Sequence, residues 1–250
     1  MASNKMTLLE MTQDILSDMT SDAVNSINDT VEALQVVQII KSTYMFLISK
    51  MDRPWLGTLF QLEAGTTTYP TRMKIPDDIE KVLWIKYNVE ETGATDDNFV
   101  DVTYKTPKEF IDNLYMRNSS SSTIDTITLV ENVPLFIFNE RPPTMWTTFD
   151  DEYIIFDAYD SAVETNLQAS KNVCHGFKEP TWSSADTFTP DLPSNMFPYF
   201  LAECKATCMA RLKQMQDPKA EKMARDGKTR TQYSQWRTGK ADTGPNFGRK

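Results

Sequence analysis

The apolar spacing changes period twice along this chain, and that change limits the fold more than any other feature. Over the first sixty residues apolar side chains recur every three or four positions. From Thr66 they fall into short runs separated by turn-forming clusters, and after about residue 193 the helical spacing returns. The first and third patterns belong to helices that bury one face, the second to strands. Helix, then strand, then helix predicts an α+β protein: a helical module made from both ends of the chain, carrying an inserted antiparallel β-sandwich or barrel-like domain and an extended C-terminal tail. The expected divisions are N-terminal helices over 1–62 and a β-rich domain over 63–192 with one short helix near 107–117. C-terminal helices over 193–226 complete the module, and a docking tail runs over 227–250.

Local signals place the elements. Thr7 is in position to cap a helix bearing Leu8, Met11, Thr12, Ile15 and Met19. Asp29 and Glu32 have capping-box spacing before VEALQVVQIIKSTYMFLISKM. That segment has one apolar stripe at Ala33, Val37, Ile40, Tyr44, Leu47, Ile48 and Met51, and a second at Val36, Ile39, Thr43 and Phe46. One stripe packs on a core; the second predicts packing between neighbouring subunits. Arg53-Pro54 ends the helix. Strands are expected in KVLWIKYNV, FVDVTYK, TITLV, LFIFN and EYIIFDAY, and over 165–177, where Leu167, Ala169, Val173 and Phe177 share a parity. Thr106 and Pro107 open the short helix. Ser194 is the expected cap of a helix bearing Phe197, Phe200, Leu201, Cys204, Cys208, Leu212 and Met215; Asp217-Pro218 breaks or restarts it, and Gly227 is a stop.

The composition, 40% apolar and 11% aromatic, is that of a folded chain. No run reaches the roughly 18 consecutive apolar residues of a membrane span, and the N-terminus does not read as an export signal. Three cysteines make no disulfide framework, which fits a reducing compartment. The net charge of −9 is unevenly divided: from Arg211 onward eleven Lys/Arg face four Asp/Glu, a net +7, which leaves −16 on residues 1–210. An acidic body repels a passing nucleic-acid backbone, and a basic tail docks on an acidic surface or on nucleic acid.

Catalytic and metal motifs fare poorly. With eight glycines, the chain has neither a dinucleotide fingerprint nor a phosphate-cradling loop. The single histidine, His175, rules out a two-histidine zinc motif, and on a strand it reads as a surface or cross-strand residue. Cys204 and Cys208 lie on an apolar helix face, where cysteine packs as a small hydrophobe, and adjacent Cys174 and His175 would point to opposite faces of a strand. The acidic run FDDEYIIFDAYD holds Asp150, Asp151, Glu152, Asp157 and Asp160. Along a strand Asp151 and Asp157 would stand about 20 Å apart, too far to share a metal or a glycosidic bond, so these acids read as turn and surface residues. No cofactor, metal or catalytic residue is expected.

The tail is different. Lys228, Arg230, Tyr233, Trp236, Arg237 and Phe247 interleave basic and aromatic side chains, the mixture that stacks on bases or anchors an arm on another protein. The second is the reading favoured here.

Several stretches together resemble one family. MTLLEMTQDILSDM, SINDTVEALQVVQIIKSTY, MDRPWL, FDDEYIIFDAYDS and LPSNMFPYFLAECKATCMARLKQ look like the head-to-tail adaptors of short-tailed bacteriophages, often called tail tubular protein A, over roughly residues 6–225. The resemblance implies a structural virion protein, not an enzyme. It would be a ring of twelve copies between the capsid portal and the tail nozzle, assembled in the host cytoplasm and placed in the tail or neck. The segment 227–250 would dock on the portal and the β domain would face the nozzle. Double-stranded DNA would pass through the channel without specific binding, and no membrane would be involved. The alternatives are another neck or nozzle component, a nucleic-acid-binding protein using the basic tail, and, third, an enzyme built on the acidic run.

Overall fold

A computed structural model describes residues 5–50, 53–90, 96–128 and 133–241, with only the backbone described for 232–241. Met51 and Phe247 lie outside the described residues. The chain forms an α+β protein of two compact units: a helical unit from Met1–Trp55 and Pro180–Lys250, and an inserted β unit from Leu56–Glu179.

The helical unit contains α1 (Leu8–Asp18), α2 (Val31–Lys50), α4 (Phe197–Leu212) and α5 (Pro218–Ala241). Thr7 caps α1 in a full capping box, its Oγ1 accepting from the Glu10 N–H while Glu10 accepts from the Thr7 N–H. α2 is capped by Thr30, whose Oγ1 accepts from the Ala33 N–H, and not by Asp29 as its spacing with Glu32 predicts. Asp29 instead accepts from the Asn25 and Ser26 N–H groups, closing the preceding turn, and Glu32 pairs with Lys213 at 2.9 Å. By length and composition α2 could cross a membrane, yet half of it is buried inside the unit, where it packs on α1 and α4 as a core helix. α4 begins at Phe197 with no side-chain cap, so Ser194 does not serve there. Asp217 caps α5, accepting from the Lys219 and Ala220 N–H groups with Pro218 in the first turn.

The link 180–192 belongs to the helical unit and not, as expected, to the β domain. Its Phe188 and Asp186 carbonyls accept the first N–H groups of α1, from Leu8 at 2.7 Å and Leu9 at 3.2 Å. Trp182 packs between Tyr44 and Phe188, and Leu192 is buried with them. Aromatic burial binds this segment to the helices despite its proline-rich, loop-like composition.

The β unit is a curled, mixed seven-stranded sheet in the order β1-β9-β3-β4-β7-β8-β2, plus a β5–β6 hairpin. The strands are β1 (Gly57–Phe60), β2 (Arg72–Lys74), β3 (Ile79–Asn88), β4 (Phe99–Tyr104), β5 (Ile124–Thr128), β6 (Pro134–Phe138), β7 (Met145–Thr148), β8 (Tyr153–Phe156) and β9 (Asn172–Lys178). β4 pairs in parallel with β7, a pairing that strand spacing alone does not reveal; α3 (Pro107–Tyr115), capped by Thr106, packs on β6 and β7. β9 starts at Asn172, and it buries Asn172, Cys174 and Gly176, the parity opposite to that of Val173 and Phe177. A Cβ at Gly176 would run into the Lys81 carbonyl, beside the register shifts of β3. β1 and β9, at the two ends of the insertion, pair antiparallel from Gly57↔Phe177 to Phe60↔Cys174.

Candidate functional site

The faces of α2 are the first place to look for an interaction surface. Ala33, Val37, Ile40, Tyr44, Leu47 and Ile48 are buried, as the first stripe predicts. Val36, Ile39 and Thr43 of the second stripe are also buried within the same unit, so they are already consumed by intrachain packing. Of the four residues expected between subunits only Phe46 is exposed, at 53%, with the Lys50 ammonium 3.9 Å from its ring centre. Both stripes of α2 are covered because α1 and α4 both pack on it, which a stripe pattern cannot distinguish from contact with a second chain.

The basic segment is helical and not extended: α5 runs on through Gly227 to Ala241. Gly227 does not stop the helix because its role is packing. Ala220, Ala224 and Thr231 are buried along the same side, and a Cβ at Gly227 would stand 2.7 Å from the Tyr199 Cβ of α4. Small side chains at helical spacing thus let α5 lie closely against α4. The exposed positions of α5 carry Lys219, Lys222, Arg225, Lys228 and Arg230 beside Glu221 and Asp226, and these cations have no carboxylate ion-pair partner among the described residues. Tyr233, Trp236 and Arg237 follow on the same helix; residues 242–250, with Phe247, lie outside the described residues.

The acidic run resolves into two kinds of residue. Asp150 Oδ1 accepts from the Glu152 and Tyr153 N–H groups, and Asp151, with φ of 57°, donates its N–H to Thr148 Oγ1, so both shape the β7–β8 turn. Asp160 caps the next turn through the Ala162 N–H. Asp157 departs from the surface expectation: it is 1% exposed and accepts from Thr144 N–H and Oγ1, Met145 N–H and Arg117 Nη2. Arg117 also donates to the Phe136 and Asp157 carbonyls, and burial pulls its guanidinium below the usual arginine value. The pair is a buried polar joint between α3, β6 and β7, with every oxygen of the carboxylate occupied.

A second buried network lies in the same unit. Tyr87 donates to Glu164, whose other oxygen is 3.5 Å from Lys171 Nζ, and Lys171 donates to the Glu90 carbonyl. Burial and the Glu164 bond raise the Tyr87 hydroxyl well above its ordinary value. Sequence reading passes over this trio because its members are scattered from Tyr87 to Lys171. Asn172 adds a third buried contact, accepting from the Leu62 N–H at 2.7 Å.

The remaining chemical candidates are packing residues. His175 stacks on Trp84 across the β9–β3 pair, ring centres 5.5 Å apart, and its Nδ1 is buried without a partner. Cys204 and Cys208 sit in the helical core and Cys174 in the β core, all as free thiols. Burial raises Cys174 and Cys208 from 9.0 to about 12 and Cys204 well above 9.0, so each is held as an unreactive thiol. Among the described residues no three His, Cys, Asp or Glu side chains converge to hold a metal.

Charge follows the division into units. Leu56–Glu179 holds ten Lys/Arg against twenty-one Asp/Glu, a net −11; the helical unit holds sixteen against fourteen, a net +2. Of the −16 on residues 1–210, −11 therefore belongs to the β unit. What the molecule offers a partner is an acidic β unit, a basic α5 and the outward side of α2. No protein-family model matches the chain, and no curated protein matches it.

Proposed function

We propose that the chain is a structural virion protein, a head-to-tail adaptor whose copies assemble into a ring, twelve to match a portal, between the capsid portal and the tail nozzle. The observation that carries this reading is the separation of surfaces within one chain: a helical unit bearing a basic, aromatic C-terminal helix, and a strongly acidic β insertion. Such a protein acts by geometry. Heterologous contacts close into a ring, α5 and the residues after it dock on the portal, and the acidic units line a channel that repels DNA and lets it leave without sticking. The β unit faces the nozzle, and the ring belongs to the neck of the virion after assembly in the host cytoplasm.

Co-purification with the portal encoded alongside it tests the reading. Truncation should follow Thr231, because an earlier cut removes Gly227 and Thr231 from their seat on α4. The full chain is expected to co-migrate with portal and the truncated chain to lose it; binding by neither would overturn the adaptor reading. The exposed cations of α5, unpaired among the described residues, favour one other reading, nucleic-acid binding. It requires an affinity for duplex DNA that falls steeply with salt and is lost when Lys222, Arg225 and Arg230 are replaced by Glu.

A further inference from the structure

Two sides of α2 are buried in its own unit, and the third is unlike a solvated face. Its outward positions from Val31 to Met45 include Leu34, Gln35, Gln38 and Ser42, and only Lys41 is charged. In a chain with 24% charged residues, a fully hydrated helix side of that length carries several charges, as α5 does. Depletion of charge with retention of apolar side chains is the composition of an interface core. Beside this row a hollow of about 340 Å³ opens between Val31, Leu34 and Leu212, with Arg211 at its edge. Val31 is 73% exposed and Leu34 43%. Lys41 and Arg211 have no carboxylate partner among the described residues.

We propose that this face seats the β unit of a second copy of the chain, with the end of α3 entering the hollow. The inference rests on the ring reading for its biological setting but not for its chemistry. The argument for the occupant is complementarity. An apolar hollow with the Arg211 guanidinium in its lining takes an apolar knob beside a carboxylate, and this chain carries one on its −11 unit. Met116, just after α3, is 85% exposed, and Asp112, one turn earlier on the same side, is exposed with no ion-pair partner among the described residues. Hollow and knob are different patches of the chain, so the contact can propagate from copy to copy, as a ring requires. An α2-on-α2 pairing would be isologous and would place cations from both copies at one interface.

The test uses the full chain. One preparation carries Leu34→Cys and another Met116→Cys, mixed and mildly oxidised; the three native thiols are buried and stay silent. A disulfide joining the two variants is expected. Leu34→Glu, at an exposed position that the fold tolerates, should weaken self-association by roughly tenfold or more in sedimentation, and Arg211→Glu should weaken it and be rescued by Asp112→Arg. Disulfides only between Leu34→Cys chains, or a chain that remains monomeric and unlinked at every concentration, would overturn the proposal. Portal capture without the mixed disulfide would sink this contact and leave the adaptor reading standing; the mixed disulfide without portal capture would do the reverse.

Discussion

Asp157 carries the main lesson at the scale of single residues. In the sequence it is one of five neighbouring acids, and four of them, Asp150, Asp151, Glu152 and Asp160, do read correctly as turn residues. What separates Asp157 is Arg117, forty residues away, and no local pattern pairs the two. Removing one partner leaves a buried charge uncompensated, so Arg117→Ala should destabilise the β unit by about 3–5 kcal/mol, far more than Lys74→Ala at the solvent-facing Lys74–Asp77 pair. Urea denaturation of the two variants gives the comparison. Titration offers a second check. Burial raises Cys174 and Cys208 from 9.0, and Tyr44 and Tyr159 from 10.0, each to about 12. Above about pH 9 the unfolded chain loses these protons while the fold keeps them, so unfolding is favoured as pH rises. Tm should hold level from neutral to about pH 8 and fall steadily from about pH 9 upward, without a matching acid-side effect from these groups.

Elements were legible where the signal is local and obscure where a partner decides. Thr7 and Thr106 announce their helices because a capping box is written within four residues. α2 announced its length but not what covers its second stripe: α4 arrives from the other end of the chain, nearly 160 positions later. Gly227 misleads for the same reason. Glycine usually ends a helix, and only the proximity of Tyr199 shows that here it lets two helices approach. The element-scale prediction is a reversal of sign. Gly227→Ala in an exposed helix would gain about 1 kcal/mol of helix propensity. Here the added methyl meets the Tyr199 Cβ, so the substitution should cost about 1–3 kcal/mol net and raise amide exchange along α5. The sheet shows the same limit: strand positions were readable from short apolar runs, but the parallel β4–β7 pairing depends on α3 and the β5–β6 hairpin intervening between the two strands.

At the scale of the whole molecule the order helix, strand, helix was visible, since a change of hydrophobic period survives without any tertiary knowledge. The exact seams were not. Residues 180–192 look like a loop and fold with the helices through Trp182, Phe188 and Leu192; residues 56–62, grouped by sequence with the N-terminal helices, supply β1. Each unit has its own buried core, so Leu56–Glu179 expressed alone should fold cooperatively, and so should the helical unit with 57–178 replaced by a short Gly-Ser linker. Circular dichroism and thermal melting of the two pieces would check this; a linker-bridged helical unit without a melting transition would show that it needs the insertion.

The β1–β9 pairing has a consequence for the history of such a chain. Because Gly57 and Phe177 are Cα partners in one ladder, the insertion leaves and re-enters the helical framework at a single place. A gene encoding the framework needs no redesign to exchange this insertion for another whose ends also meet. Recombination could therefore change the surface that the insertion presents while leaving the helices that carry it untouched.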